Sequence, residues 1–424
     1  MLWIVLALIV IALLGAPLFA VIGAIALAGF HLAGYDLSVV VIEYYRLGEN
    51  PVLIAIPLFT LAGYLLSESE APRRLVRLSD ALLGWLPGGL AIVALVVSAL
   101  FTALTGASGV TIVALGALLY PALVQAGYPR MFSLGLVTTS GSLGLLFAPS
   151  LPLILYGFVA QQLDTQPPVD IGELFIAGIL PGLLMIVLLA LYCMRVGMQV
   201  PRAERRGRGE LWAALRDAGW EIPLPFVVLG GIYSGWLAPS EVAAVTVLYV
   251  FAVVVLIRRE LPWGKLAATG REAMRMVGAI LIILGLALGL TNWMIDAEVP
   301  QGLFALLQAN VQSGWLFLLL VNVFLLLVGM LLDVFSAVFV LVPMLLPVAQ
   351  GYGIDPVHFG ILMLANLQIG YFTPPIGMNL FIASLRFKVP LLELARACLP
   401  FFGILLIALV LITWWPALSL VWVR

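Results

Sequence analysis

The chain has 424 residues, of which 64% are hydrophobic and 10% charged, with a mean hydropathy of +1.19; soluble domains run at about 45–50% apolar and about 25% charged, so a soluble fold is excluded. Its 20 Lys+Arg against 21 Asp+Glu give a formal net charge of -1, which offers no electrostatic reason to expect a nucleic-acid partner. Cys193 and Cys398 both sit in long apolar runs, which excludes a disulfide framework, a CxxC motif and a zinc cluster.

The first 34 residues lack a basic n-region and a cleavage site ahead of a polar domain, so they read as membrane structure. Apolar runs approaching a ~30 Å hydrocarbon core occur at about 2–15, 17–34, 51–68, 131–160, 174–194, 220–236, 239–257, 277–295, 357–385 and 398–421. Two further stretches, 88–125 and 314–350, are broken at Thr105-Gly106-Ala107-Ser108-Gly109 and at Gly329 to Ser336. Each reads as two short spans or as one re-entrant hairpin. Pro72 to Leu83 and Val299 to Gln312 are amphipathic and suit the interface plane.

With both stretches taken as hairpins and the Arg-rich loop from Arg195 to Arg216 placed in the cytoplasm, 18 of the 20 basic residues fall inside. Only Arg46 and Arg424 fall outside, and the N-terminus is then periplasmic. Outer loops are acidic, with Asp36, Glu43, Asp164, Asp170, Glu173, Asp296 and Asp355 among them. Charge supports an even number of passes in each broken stretch without choosing between the two readings.

An ungapped shift of 226 residues superimposes Pro121 on Pro347, Gly127 on Gly353, Gly144 on Gly370 and Pro149 on Pro375. The chain therefore reads as two copies, 1–195 and 220–424, joined by a basic cytoplasmic linker over 196–219 with a short helix at Glu210 to Ala218. Each copy contains five full spans, an odd number, so the second enters the membrane from the opposite side. Such inverted repeats mark secondary transporters.

Non-helical backbone inside hydrocarbon is tolerated only where protein or a water-filled cavity surrounds it. Four breaks stand out: Thr105 to Ser108; Ser140 to Gly144, running on to Ala148-Pro149-Ser150; Asp333 to Ser336; and Asn366 to Gly370, running on to Thr373-Pro374-Pro375-Ile376-Gly377. Their carbonyls, with Ser, Thr and Asn oxygens, suit a hard cation such as Na⁺, and their half-helix N-termini suit an anion. Asp333 is the only acid this topology leaves inside the membrane, with no Lys or Arg nearby. It reads as an ion ligand or proton carrier, as a helix N-cap, or as both. His31 and His358 lie near outer boundaries and read as packing residues. No nucleophile–base pair, HExxH or P-loop occurs, so an enzyme is not expected and ATP-driven transport would need a separate subunit. An ion channel could use the same re-entrant loops.

At these residues the sequence resembles the large membrane subunit of the tripartite ATP-independent periplasmic (TRAP) transporters, over essentially its whole length. The resemblance is carried by Ile56-Pro57-Leu58-Phe59, Gly106-Ala107-Ser108-Gly109, Tyr120-Pro121-Ala122, Pro149-Ser150-Leu151-Pro152 and Gly329-Met330-Leu331-Leu332-Asp333. Most specific are Gly353-Ile354-Asp355-Pro356-Val357-His358-Phe359-Gly360 and Thr373-Pro374-Pro375-Ile376-Gly377-Met378-Asn379-Leu380.

The resemblance implies an all-α polytopic protein with an elevator mechanism in the bacterial inner membrane. It implies Na⁺-driven uptake of organic anions such as C4-dicarboxylates, keto acids or sialic acid. No cofactor beyond Na⁺ is implied. The partners would be a small four-helix membrane subunit (Q type), a periplasmic substrate-binding protein (P type) and the lipid bilayer; a stand-alone Na⁺/carboxylate symporter is the alternative. It implies a first Na⁺ site at Thr105, Gly106, Ser108, Ser140 and Gly144, and a second at Asp333, Ser336, Gly370, Thr373, Pro374 and Gly377. Substrate contacts are implied at Ser140, Ser142, Pro149, Ser150, Asn366, Pro375 and Asn379. The chain departs from the pattern after Gly109, where Val110-Thr111-Ile112-Val113-Ala114 replaces a polar, Asp-containing run and points to a different substrate.

Overall fold

The computed structural model describes residues 8, 10–11, 16–46, 48, 50–163, 165–200, 208–233, 236–374 and 377–424. Among them all regular structure is helical, as hydrocarbon requires of a spanning chain that must bond its own N–H and C=O groups. Six of the helices are long and apolar enough to cross a membrane, or nine if each sharply bent pair is one span. The protein is therefore a polytopic membrane protein. The expected span 2–15 lies mostly outside the described residues, as do residues 201–207 of the linker, whose helix covers Arg208–Asp217.

The breakers in the sequence end helices where backbone geometry demands it. Gly89–Thr105 stops at Gly106, whose φ of 67° is left-handed, and the chain restarts as Ser108–Ala114 and Gly116–Gln125, bent 49° from each other. The sequence marks one break in this stretch, and the bend at Leu115 is a second. In the second half Gly314–Leu331 and Val334–Gly351 are separated only by Leu332-Asp333, a narrower break than Gly329 to Ser336.

Two broken helices follow the hairpins. The first runs Arg130–Ser140, a 3-10 turn Leu143–Leu146, then Leu151–Gln161. The second runs Pro356–Gly370, then Met378–Phe387. Here the sequence reading needs correction: Asn366 to Gly370 is the last turn of a helix, and the break lies wholly between Tyr371 and Gly377. Asn366 donates from Nδ2 to the Leu362 carbonyl one turn back and to Asn322 Oδ1, which leaves its own oxygen without a partner. The expected span 277–295 is part of a 34-residue helix, Trp263–Asp296, about 50 Å long at 1.5 Å per residue and thus too long for the hydrocarbon alone.

The two halves are intertwined through equivalent contacts. Leu18–Leu32 packs on Trp263–Asp296, and Pro239–Phe251 packs on Ala55–Ser67. Leu151–Gln161 packs on Val334–Gly351, while its counterpart Met378–Phe387 packs on Ser108–Ala114. Gly144 lies so close to helix Gly89–Thr105 that a Cβ would stand 2.5 Å from the Ala103 nitrogen; its repeat mate Gly370 abuts Gly329, the repeat mate of Ala103, with a Cβ 2.7 Å from its Cα. Ser142 and Gln368, also 226 apart, bond each other directly, the Ser142 hydroxyl donating to the Gln368 carbonyl at 3.1 Å. A residue bonded to its own repeat mate lies on the axis relating the copies.

Ion pairs respect the sides assigned from sequence. Arg73, Arg74, Arg77, Arg130, Arg258 and Lys265 pair with Glu68, Glu70, Glu210, Asp217, Glu221, Glu260 and Glu393. Arg424 pairs with Glu173 and Asp355. Among the described residues no ion pair joins the two groups.

Candidate functional site: a cavity between the hairpin tips

Both hairpin tips open onto one cavity of about 350 Å³. The first tip contributes Gly106, Ala107, Ser108, Gly109 and Val110; the second contributes Asp333, Val334 and Phe335. The opposite wall is Tyr64 with Met276, Ala279, Ile280 and Ile283, one face of the long helix Trp263–Asp296. Tyr371 and Met378 on either side of the second break complete it, with Leu145 and Ile382. The volume is that of a small-molecule site.

Asp333 caps helix Val334–Gly351. Its Oδ1 accepts from the Phe335 and Ser336 N–H groups, both at 3.0 Å, and its Oδ2 accepts from the Ser336 hydroxyl. The Val334 N–H is taken by the Tyr371 hydroxyl, which belongs to the second broken helix. One side chain is thus both a helix cap and, among the described residues, the only carboxyl on the cavity wall. Its repeat mate is Ala107, which caps Ser108–Ala114 in position but carries no acceptor. The first tip therefore has no acid.

The expectation that half-helix N-termini hold an anion needs correction at three of the four breaks. Asp333 and Tyr371 occupy the N–H groups of the second tip. The Ser150 hydroxyl oxygen accepts from the Leu153 N–H. At the start of Met378–Phe387 the Gly377 N–H donates to the Met330 carbonyl and the Asn379 N–H to the Tyr371 carbonyl. These donors hold the breaks together instead.

The remaining sequence-nominated residues divide by environment. Ser108 and Gly106 line the cavity beside Asp333. Ser140, Ser142, Gly144, Pro149 and Ser150 are buried in the first broken helix, with the Ser140, Ser142 and Ser150 hydroxyls donating to the Val137, Gln368 and Leu145 carbonyls respectively. Thr373 donates to the Ile369 carbonyl, Gly370 ends the helix Pro356–Gly370, and Pro374 and Gly377 stand in the second break. Pro375 lies outside the described residues. None of this second group, nor Ser336, Asn366 or Asn379, lines the cavity.

Of the sequence-nominated residues, three nevertheless bury an oxygen without a hydrogen-bond partner: Thr105 Oγ1, Asn366 Oδ1 and Asn379 Oδ1. Asn379 uses its Nδ2 on the Thr138 carbonyl of the first broken helix at 3.4 Å, leaving the oxygen over. Neutral oxygens are the donor type that a hard cation takes, but none of the three lines the cavity with Asp333. Among the described residues no group of three His, Cys, Asp or Glu side chains could hold a metal ion.

Residues 2–418 match the model of the family described as "Tripartite ATP-independent periplasmic transporter, DctM component". The chain belongs to this DctM family. It is 35% identical over 400 residues to the C4-dicarboxylate TRAP transporter large permease protein DctM of Rhodobacter capsulatus, covering 92% of this chain and 91% of that protein. It is 32% identical over 414 residues to the ectoine TRAP transporter large permease protein TeaC of Halomonas elongata, covering 96% and 95%. Its fold is like that of the Alcanivorax borkumensis YdaH transporter, with a TM-score of 0.63 at 18% identity over 90% of this chain and 88% of that one. Membership of the DctM family makes this a transporter permease of the bacterial membrane.

Sequence reasoning missed Tyr64, Met276 and Tyr371 as cavity residues. Tyr371 adjoins a break already singled out, so its position carried a signal. Tyr64 and Met276 lie in continuous helices 212 residues apart and meet only in the folded chain, the Tyr64 hydroxyl approaching the Met276 sulfur at 3.5 Å.

Proposed function

We propose that this DctM-family chain is the permease subunit of a Na⁺-driven secondary transporter importing organic anions across the bacterial inner membrane. A periplasmic binding protein delivers the substrate and a small four-helix membrane subunit completes the permease. The observation that carries the reading is the single cavity onto which both hairpin tips and Asp333 open. A carboxylate about 6 Å from Asp333 at an effective dielectric near 20 would be repelled by about 3 kcal/mol. Entry of the anion with a cation removes that repulsion, and Asp333 on the cavity wall supplies the charged ligand for it. Coupling thereby follows from charge balance.

Movement is by an elevator step. The hairpins and broken helices, locked to one another through Gly144, Gly370 and the Ser142–Gln368 bond, travel as one body against the wall formed by Tyr64 and the long helix. Relatives are named for C4-dicarboxylate and ectoine, so the transported compound varies within the family. The test is uptake of labelled organic acids into proteoliposomes holding the permease with its small subunit, with and without the binding protein and an inward Na⁺ gradient. Uptake requiring both is expected. Uptake indifferent to the gradient refutes the coupling, and Na⁺-driven uptake without the binding protein establishes a stand-alone symporter.

A further inference from the structure

On the face that the distribution of basic residues assigns to the cytoplasm, a second cavity of about 490 Å³ opens beside the linker helix Arg208–Asp217. That helix packs on Ala71–Leu83 through Leu78, Ala214 and Ala218, which leaves Trp212 and Arg216, one turn apart, on its outer side. Arg77, Arg216 and Arg258 line the cavity with Trp212, and Asp217 is the only acid among its described lining residues. The donors are unevenly spent. Arg77 donates to Glu210 and Asp217, and Arg258 Nη2 donates to the Asp217 carbonyl. Arg258 Nε is buried with no hydrogen-bond partner, and Arg216 is exposed and pairs with no described residue.

Positive charge exceeds negative at this cavity even with Glu210 counted, and the sequence leading into Gly209 adds Arg202, Arg205, Arg206 and Arg208 against Glu204 alone. Unspent guanidinium N–H groups suit an oxyanion, and the fork of an arginine matches the geometry of a phosphate. Depth decides which phosphate. On this face Trp212 and Trp263 are each 73% exposed, and tryptophans collect where a membrane meets water, at the level of the lipid headgroups. We propose that the cavity binds the phosphate of an anionic phospholipid headgroup from the inner leaflet. The headgroup contacts Arg77 of the first half, Arg216 of the linker and Arg258 of the second half, three parts of the chain whose side chains already converge on Asp217. Seated there, it fastens the linker helix to both halves.

The test titrates the full chain, stripped of lipid in detergent, with dioctanoyl phosphatidylglycerol, dioctanoyl phosphatidylcholine or inorganic phosphate. Thermal unfolding reads stabilisation, and native mass spectrometry counts the lipid retained. Phosphatidylglycerol is expected to raise the midpoint saturably with a single molecule retained, and phosphatidylcholine, whose headgroup has no net charge, to do neither. Arg216→Gln should raise the half-saturating concentration about fivefold, the worth of one basic side chain beside an anionic lipid. Arg271→Gln removes the same charge from outside the cavity, at a residue that is also exposed and pairs with no described residue, and should leave that concentration unchanged. Equal effects of the two lipids, or equal losses in the two variants, mean diffuse attraction to the surface and overturn the proposal, as does the absence of saturable binding. A shift with inorganic phosphate alone assigns the site to free phosphate and overturns the lipid source. The site lies apart from the cavity between the hairpin tips, so each of these failures leaves the transport reading standing.

Discussion

Replacing Arg74 by Leu tests whether the amphipathic helix Ala71–Leu83 is fastened to the second half by a buried charge cluster. The Arg74 side chain is 7% exposed and forks between Glu221, 5% exposed, and Glu260, 14% exposed. Its Nε and Nη2 donate to Glu221 Oε1 at 2.8 and 2.6 Å, and its Nη1 and Nη2 donate to Glu260. Removing the guanidinium leaves two carboxylates facing each other in a partly dry site, and breaking such a pair costs about 3–5 kcal/mol. Arg77, one turn along, is the internal control. It pairs with Glu210 and Asp217 but is 40% exposed, so Arg77→Leu should cost about 0–1 kcal/mol.

The assay is thermal unfolding of the detergent-solubilised protein, followed by tryptophan fluorescence at a fixed scan rate. Arg74→Leu should lower the midpoint by several degrees more than Arg77→Leu. Replacing the whole cluster, Arg74→Met with Glu221→Leu and Glu260→Gln, should recover most of the loss. The reasoning is refuted if Arg74→Leu is no worse than Arg77→Leu. The pH dependence has a definite sign. Burial pushes the Glu260 carboxyl up, but the Arg74 guanidinium and the Glu70 N–H outweigh it and hold the group below its ordinary value. A carboxyl depressed in the folded state stabilises above its unfolded pKa, and that stability is lost as pH falls through the folded value. The wild type should therefore lose more stability than the charge-free triple variant on acidification below about pH 4.5.

Asp333→Asn keeps an N-cap side chain but removes the charge, so the unfolding midpoint should stay within about 2 °C while Na⁺-driven uptake is lost; uptake at wild-type Na⁺ affinity would reduce Asp333 to a cap. Gly144→Ala and Gly370→Ala each drive a Cβ into backbone across a helix contact, at 2.3 Å from the Ala99 carbonyl oxygen in the first case, and should each cost about 1–3 kcal/mol in the same unfolding assay. Ser142→Ala removes the bond to Gln368 on the repeat axis and should cost about 1 kcal/mol, with a smaller loss if the two halves are held mainly by apolar packing.

Much of the architecture was legible in the sequence because hydrocarbon is a severe solvent. A spanning segment must be long, apolar and helical, so hydropathy marks it, and any Gly- or Pro-marked interruption must be shielded. The repeat follows from breakers recurring at 226 residues, and the cluster of inner ion pairs from the positive-inside distribution. The same local reasoning placed Gly106, Ser108 and Asp333 at hairpin tips, and all three line the cavity.

It failed where the deciding contact is remote. Asn366 was assigned to a break because it is polar among apolar neighbours, yet it is helical and bonds Asn322, 44 residues away. Serine hydroxyls that looked free for ligands donate to carbonyls, Ser142 to one that lies 226 residues distant. The open N-termini expected at the breaks are filled by Asp333, Tyr371 and Ser150, a matter of side-chain direction that no spacing encodes. The sequence alone determined that this chain spans a membrane as two related halves with four interruptions, since each of those follows from local hydrophobicity and backbone chemistry. Tertiary structure alone decided that both tips share one cavity, that Tyr64, Met276 and Tyr371 wall it, and which oxygens remain uncommitted. Those depend on how helices hundreds of residues apart pack side by side.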